Sequence, residues 1–371
     1  MKRIMLLFSF VLFLLITGCD TNNSDPASTD NSDIPADPQG VSAPETSINN
    51  IVPTGTFAAA ENNPGRIQVN LTGIINPSTQ QPIELYYNSE NPGSSNIFIS
   101  EDGTVKGLKV TKVSTGNILN ADVVFTVDNS GSMSEEADSV ANGIIKFANF
   151  LQASGLSVQF GIVGYDGNVN GGINFTNAQN LTNYLNRTVY GSQVTGTSRT
   201  YGFSGTDSAA LANAAYSFAS GVYGENGVVG ALFADSNFSW RSGAQRVFVN
   251  FTDEPTQPDY NHYWNTALLC DKIGGKATIH TVFSEDTTSY SSYWNADYER
   301  PWEMSYCTGG TIKFLDSYAT GLDLTNLPVA GALSNSYLVE YAAGSTGTTH
   351  SVIITISETN ADGKRSYSVS Y

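Results

Sequence analysis

In the stretch ADVVFTVDNSGSM, Ala121 to Met133, an apolar run stops on Asp128, Asn129, Ser130, Gly131 and Ser132. A carboxylate followed by alternating hydroxyls is a set of hard oxygen donors. It suits Mg²⁺, Mn²⁺ or Ca²⁺, and without clustered His or Cys it does not suit zinc. Asp-x-Ser-x-Ser alone recurs by chance in a Ser-rich chain, so further donors matter. YGFSGTDSAALANAA puts Thr206 just ahead of a helical pattern, and RVFVNFTDEP puts Asp253 at the end of another apolar strand. Ligands of open α/β sheets bind beyond the carboxyl ends of strands, which is where these three stretches converge.

The elements that must position them are legible from periodicity. Strand ADVVFTVD precedes the helical stretch SEEADSVANGIIKFANFLQASG, in which Val140, Ile144, Phe147, Ala148 and Leu151 recur on one face. SVQFGIVGYD, RVFVNFTD, KATIHTVF and GTIKFLD read as further strands. NAQNLTNYL, DSAALANAAYSFASG and NHYWNTALLCDKIG read as helices between them. Apolar strands alternating with helices predict a doubly wound, mostly parallel α/β sheet over residues 120–333. Residues 50–119 and 334–371 have a different grammar, short alternating runs such as RIQVNL and SVIITIS broken by turns. They are expected to form one β-sandwich in two pieces, with the α/β domain inserted, because either piece alone would struggle to bury a core.

The middle region resembles the von Willebrand factor A domain, whose metal-ion-dependent adhesion site combines Asp-x-Ser-x-Ser, a Thr from a second loop and an Asp from a third. Carried over position by position, the resemblance implies that Ser130, Ser132 and Thr206 bind the metal directly. It implies that Asp128 and Asp253 bind directly or through water. Glu254 departs from the pattern, because the family often has glycine after the aspartate, and it adds a carboxylate near the rim. Neutral hydroxyls leave much of a dication's charge uncompensated. Mg²⁺, Mn²⁺ or Ca²⁺ held this way would accept a carboxylate from a partner protein in its open position. FSWRSGAQRVFVNFTDE is also similar to the integrin beta I-like domain; Trp240 and Arg241 are expected to form a packed corner of the fold.

At the N-terminus, a basic start, an apolar run from Ile4 to Ile16 and small residues precede Cys19. The run is shorter than the roughly 20 residues that span a bilayer, so residues 1–18 read as a signal peptide. ITGC resembles the lipobox of bacterial lipoproteins, which implies lipidation of Cys19 and a lipid-anchored location in the cell envelope, outside the cytoplasm. Residues 19–49, rich in Asp, Asn, Ser and Pro, are expected to be a flexible tether. The only membrane contact expected is the lipid.

The chain carries 17 Lys and Arg against 34 Asp and Glu, a formal charge of −17. Removing Lys2 and Arg3 makes it more acidic still, so nucleic acid is excluded as a partner. Cys270 and Cys307 either pair in an oxidising compartment or stay as buried thiols. GYDGNVNGG, with Asp166, Asn168 and Asn170, reads as a glycine-rich exposed loop, since it lacks the later glutamate of an EF-hand. His262, His280 and His350 are scattered, and none is placed to activate Ser130 or Ser132, so no enzyme is expected. The function this predicts is adhesion-like protein binding through a divalent cation, the alternative being a structural or assembly subunit of an envelope complex. The Tyr- and Trp-rich stretches TQPDYNHYW and SYSSYWNADYERPW either rim that surface or pack on one another.

Overall fold

The computed structural model describes residues 30–74, 76–79, 81–112, 120–153, 156–219, 221–326 and 335–371. The signal segment 1–18 and Cys19 lie outside them. None of the helices described is long and apolar enough to cross a membrane.

Two four-stranded antiparallel sheets come from the ends of the chain. One joins β1 (Gly55–Ala60), β2 (Asn63–Leu71), β15 (Tyr337–Ala342) and β5 (Lys109–Lys112) in that order. The other joins β17 (Ala361–Ser370), β16 (Thr349–Glu358), β3 (Ile97–Glu101) and β4 (Thr104–Val105). Alternation along β2 and β15 buries Ile67, Val69, Leu71, Tyr337, Val339 and Tyr341. Ile97, Ile99, Val352, Ile354 and Ile356 of the other sheet join them in one cluster.

Between these pieces lies a mixed, mostly parallel seven-stranded sheet. Its order is β11 (Gly205–Thr206), β8 (Asn168–Thr176), β7 (Ser157–Asp166), β6 (Asn120–Asp128), β12 (Gln245–Thr252), β13 (Ala277–Phe283) and β14 (Ile312–Phe314). β9 (Thr188–Val189) and β10 (Ser192–Gln193) form a separate small hairpin. The helices are α1 (Ala137–Ala153), α2 (Ala178–Leu185), α3 (Thr200–Phe203), α4 (Ala209–Phe218), α5 (Gly227–Asn237), α6 (Thr266–Ile273) and α7 (Glu303–Thr308).

β6 explains the layering. Its odd-numbered Val123, Phe125 and Val127 face one way, where they meet Val140, Ile144, Phe147 and Leu151 of α1. Val124 faces the other way, in the cluster that holds Val228, Leu232 and Phe233 of α5. Both faces of the strand are therefore covered by helices, which is why it reads as a continuous apolar run. Phe125 lies against Phe147 and Phe160. Burying each such ring contributes about 1.5–3 kcal/mol.

Two expectations need correction, and one helix lies beyond any of them. Residues 30–49 do not form a free tether. Asp33 pairs with Arg66 and with Lys109, each at 2.6 Å. Asp362 accepts the backbone N–H groups of Ser47, Ile48 and Asn49. Composition counts the missing apolar surface; it does not register acidic residues that have partners waiting on β2, β5 and β17. The stretch GYDGNVNGG is not an exposed loop but the antiparallel turn from β7 into β8, with Gly167 at φ +67° between the paired Asp166 and Asn168. Its glycines answer to close packing, since a Cβ on Gly171 would lie 1.8 Å from the Phe203 carbonyl oxygen. α5 was not anticipated, because it is apolar on every side and shows no stripe to read.

Trp240 and Arg241 do form a packed corner, at the amino end of β6. Arg241 donates from its backbone N–H and from Nε to the buried carboxylate of Asp122, at 2.8 and 2.7 Å, and to the Ala121 and Ser157 carbonyls. Cys270 of α6 and Cys307 of α7 form a disulfide, with an S–S distance of 2.03 Å. Arg365 of β17 donates to the Cys307 carbonyl oxygen, tying that corner to the antiparallel sheet.

Candidate functional site

Neighbouring parallel strands β6 and β12 end side by side. The register pairs Val127 with Phe251, so the next residues, Asp128 and Thr252, meet, and Asp253 lies just beyond. The Asp128 carboxylate is fully buried. Its Oδ1 accepts the Ser130 N–H at 3.0 Å, a turn that curls the chain back over the strand end. Its Oδ2 accepts the Thr252 hydroxyl at 2.8 Å. Ser132 Oγ donates to Asp253 Oδ1 at 3.2 Å. That leaves Ser130 as the donor in the 2.9 Å contact between the two serine hydroxyls. Four of the five residues expected from the sequence, Asp128, Ser130, Ser132 and Asp253, thus form one hydrogen-bonded set.

Thr206 is placed differently. It sits on β11, paired with Gly172 of β8, and its hydroxyl donates to the Ser208 carbonyl oxygen at 3.0 Å. Among the described residues no hydrogen bond joins it to the other four. Its loop reaches them through Ser204, whose hydroxyl accepts from Asn129 at 3.2 Å. Asn129 also exchanges two side-chain hydrogen bonds with Asn170, at 2.6 and 3.0 Å. The β7–β8 turn therefore braces the Asp-x-Ser-x-Ser loop.

Acidic groups converge on this strand end. Burial pushes Asp128 well above the ordinary carboxylate range, and Asp253 adds to the push. Burial, then Glu254, raises Asp253 to about 7. Glu254 is raised by burial and by Glu225. Glu136, buried just ahead of α1, accepts the Ser284 hydroxyl at 2.7 Å and is raised to about 7 by burial, with Asp253 adding to the effect. Among the described residues, no Lys or Arg forms an ion pair with Asp128, Glu136, Asp253 or Glu254. Thr252, Glu136 and Glu225 were not identified from the sequence. Thr252 follows from the β6–β12 register, whereas no local pattern marks Glu136, whose burial against Ser284 depends on a contact 148 positions away.

This donor set fits a hard cation. All its atoms are oxygens, two carboxylates stand among hydroxyls, and no basic side chain occupies the place of the positive charge. Among the described residues, no group of three or more His, Cys, Asp and Glu is arranged to hold a metal, so a site here relies on its hydroxyls.

Residues 122–267 match the model of the von Willebrand factor type A domain, so the middle of this chain carries that domain. Among solved structures, the chain is similar to the pilus adhesin SpaC from Lactobacillus rhamnosus GG in its open conformation. The identity is 10% and the TM-score 0.34, over 85% of this chain. This chain spans 55% of the length of that protein. No curated protein matches.

Proposed function

We propose that the protein is a lipid-anchored, extracytoplasmic binding module that grips a partner protein through a divalent cation at the ends of β6 and β12. The observation that carries this reading is the linked set of Asp128, Ser130, Ser132 and Asp253, acidic and without a basic partner. These residues would hold Mg²⁺, Mn²⁺ or Ca²⁺, with Thr206 supplying a further hydroxyl if its loop turns inward. The cation, when bound, supplies a Lewis-acidic position for a carboxylate of the partner. The protein's own part is to keep Asp128 buried and oriented by Thr252 and the Ser130 N–H, and to brace the serine loop through Asn129 and Asn170. Residues 1–18 would be the signal peptide and Cys19 the lipid attachment point. The antiparallel sheets, from residues 50–119 and 334–371, would act as a β-sandwich pedestal carrying residues 120–333.

A non-enzymatic role is part of the proposal. His262 pairs with Asp297, His280 with Thr311 and His350 with Asp102, so each imidazole is engaged away from Ser130 and Ser132. Exposed tyrosines, among them Tyr223 and Tyr260, offer contact area with few rotamers to freeze.

The test is titration of the metal-free protein with Mg²⁺ and Mn²⁺, followed by capture of partners from intact cells or matrix with and without chelator. Chelator should release the partner, and Asp128→Ala should lose both metal-induced thermal stabilisation and capture. Equal capture by Asp128→Ala and wild type in Mg²⁺ would sink the mechanism.

A further inference from the structure

In the antiparallel sheet formed by β3, β4, β16 and β17, an amine and two carboxylates meet at the β4 edge. Lys106, directly after β4, is almost wholly buried, and its Nζ lies 2.6 Å from Asp37 Oδ2 and 3.5 Å from Glu101 Oε2. A lysine is seldom buried this deeply unless it is paired. Each carboxylate is fixed. Asp37 Oδ1 accepts the Gly107 N–H at 3.0 Å. Glu101 accepts the Gly344 N–H at 2.7 Å and the Tyr371 hydroxyl. The side chains of Lys106 and Glu101 are each 4% exposed, while that of Asp37 is 31% exposed.

We infer that Lys106 and Asp37 join in an intramolecular amide, with Glu101 carrying the proton. Starting from the ion pair, the proton on Lys106 moves through Glu101 to the Asp37 carboxyl, leaving a neutral amine beside a neutral acid. Nζ attacks Cγ of Asp37, so that a C–N bond forms and the C–OH bond breaks. Glu101 accepts the proton shed by the nitrogen and passes it to the leaving hydroxyl, and one water departs. Atoms and charges balance without oxidant, metal or nucleotide. The open side of Asp37 gives that water a way out.

Two physical terms favour the step. Groups held in contact react with effective molarities of about 10⁵–10⁸ M, because the entropy of bringing them together has been spent in folding. Keeping a charged pair out of water carries a desolvation penalty, and the amide removes both charges. Glu101 keeps the Gly344 N–H and the Tyr371 hydroxyl as its donors throughout. The bond would clamp residues 30–49 onto the sheets covalently, where Asp33 and Asp362 hold them only by hydrogen bonds and ion pairs. The inference does not depend on the cation site.

Peptide mapping of the full-length protein decides it. Chymotryptic digestion after denaturation should yield a branched peptide containing Asp37 and Lys106, lighter by one water than the two linear peptides together. Trypsin should fail to cut after Lys106. Recovery of the Lys106 peptide in linear, trypsin-cleavable form from the wild-type protein overturns the proposal. Glu101→Gln should return the linear peptides, and a branched peptide persisting in that variant would overturn the role given to Glu101. Lys106→Arg keeps the positive charge but forms no amide, so it should unfold at lower denaturant than wild type; an unchanged midpoint would count against the clamp.

Discussion

The hydroxyl of Thr252 donates to Oδ2 of Asp128 at 2.8 Å, joining the ends of two parallel strands whose residues stand 124 positions apart. Both side chains are buried, so this bond sets the orientation of the carboxylate at the centre of the candidate site. Thr252→Val keeps the shape and removes the donor. It should cost about 1–3 kcal/mol in stability, because a buried acceptor loses its partner. Urea unfolding with and without Mg²⁺ checks it, and the loss of affinity for Mg²⁺ should exceed that of an exposed Thr→Val control.

Protons and cation should compete. Asp253 and Glu136 are raised to about 7 when no metal is bound, above their ordinary values of 3.8 and 4.5. A folded-state pKa above the unfolded one gives a contribution that is full below the unfolded value and lost as pH rises through about 7. Metal-free protein should therefore gain the most from Mg²⁺ at about pH 8 and much less at about pH 5.5. His280 acts with the opposite sign: burial lowers it to about 3, so its contribution is present above its ordinary 6.5 and lost as pH falls. Taking the difference between melting temperatures with and without Mg²⁺ at each pH cancels that term. An equal Mg²⁺ effect at both pH values would contradict the linkage.

At the opposite end of β6 the half-buried Arg241 forms an ion pair with the fully buried carboxylate of Asp122. Arg241→Ala should destabilise by about 3–5 kcal/mol, since it strands a buried carboxylate. Asp122→Asn with Arg241→Ala should cost less than the sum of the two single changes. Arg241→Lys should rescue little, because one ammonium cannot replace Nε on Asp122, Nη1 on the Ser157 hydroxyl and Nη2 on the Ala121 and Ser157 carbonyls at once. Denaturant midpoints for the cycle report this, and Mg²⁺ affinity should stay unchanged.

The Cys270–Cys307 disulfide closes a loop with a sequence separation of 37. Reduction, or replacement of both cysteines by serine, should cost on the order of 3–4 kcal/mol in the chain-entropy view. Denaturation with and without reductant measures it, and mass analysis under non-reducing conditions should find both thiols absent.

Much of the fold was written in local pattern. Strands β6, β7, β12 and β13 of the central sheet stand out as apolar runs, and the α1 face from Val140 to Leu151 follows from its spacing alone. Asp128, Ser130, Ser132 and Asp253 could be picked out because each sits at or just past the end of such a run, where an α/β sheet exposes its donors. The stretches that escaped lack a period or break one. α5 buries every residue from Gly227 to Ala234, so no stripe marks it. The β7–β8 turn carries glycines that look like loop residues until the Phe203 backbone is seen pressing on them.

What sequence alone determined, then, was the elements that carry a clear period, the sign of the charge and the oxygen character of the candidate site. Those properties depend on residue type and on neighbours a few positions away. The tertiary structure decided what depends on pairing between distant segments. It brought Thr252 against Asp128 and turned the Thr206 hydroxyl toward Ser208. It also drew the acidic residues of 30–49 onto Arg66, Lys106 and Lys109. Such contacts are fixed by register and packing across the sheets, and no local pattern encodes them.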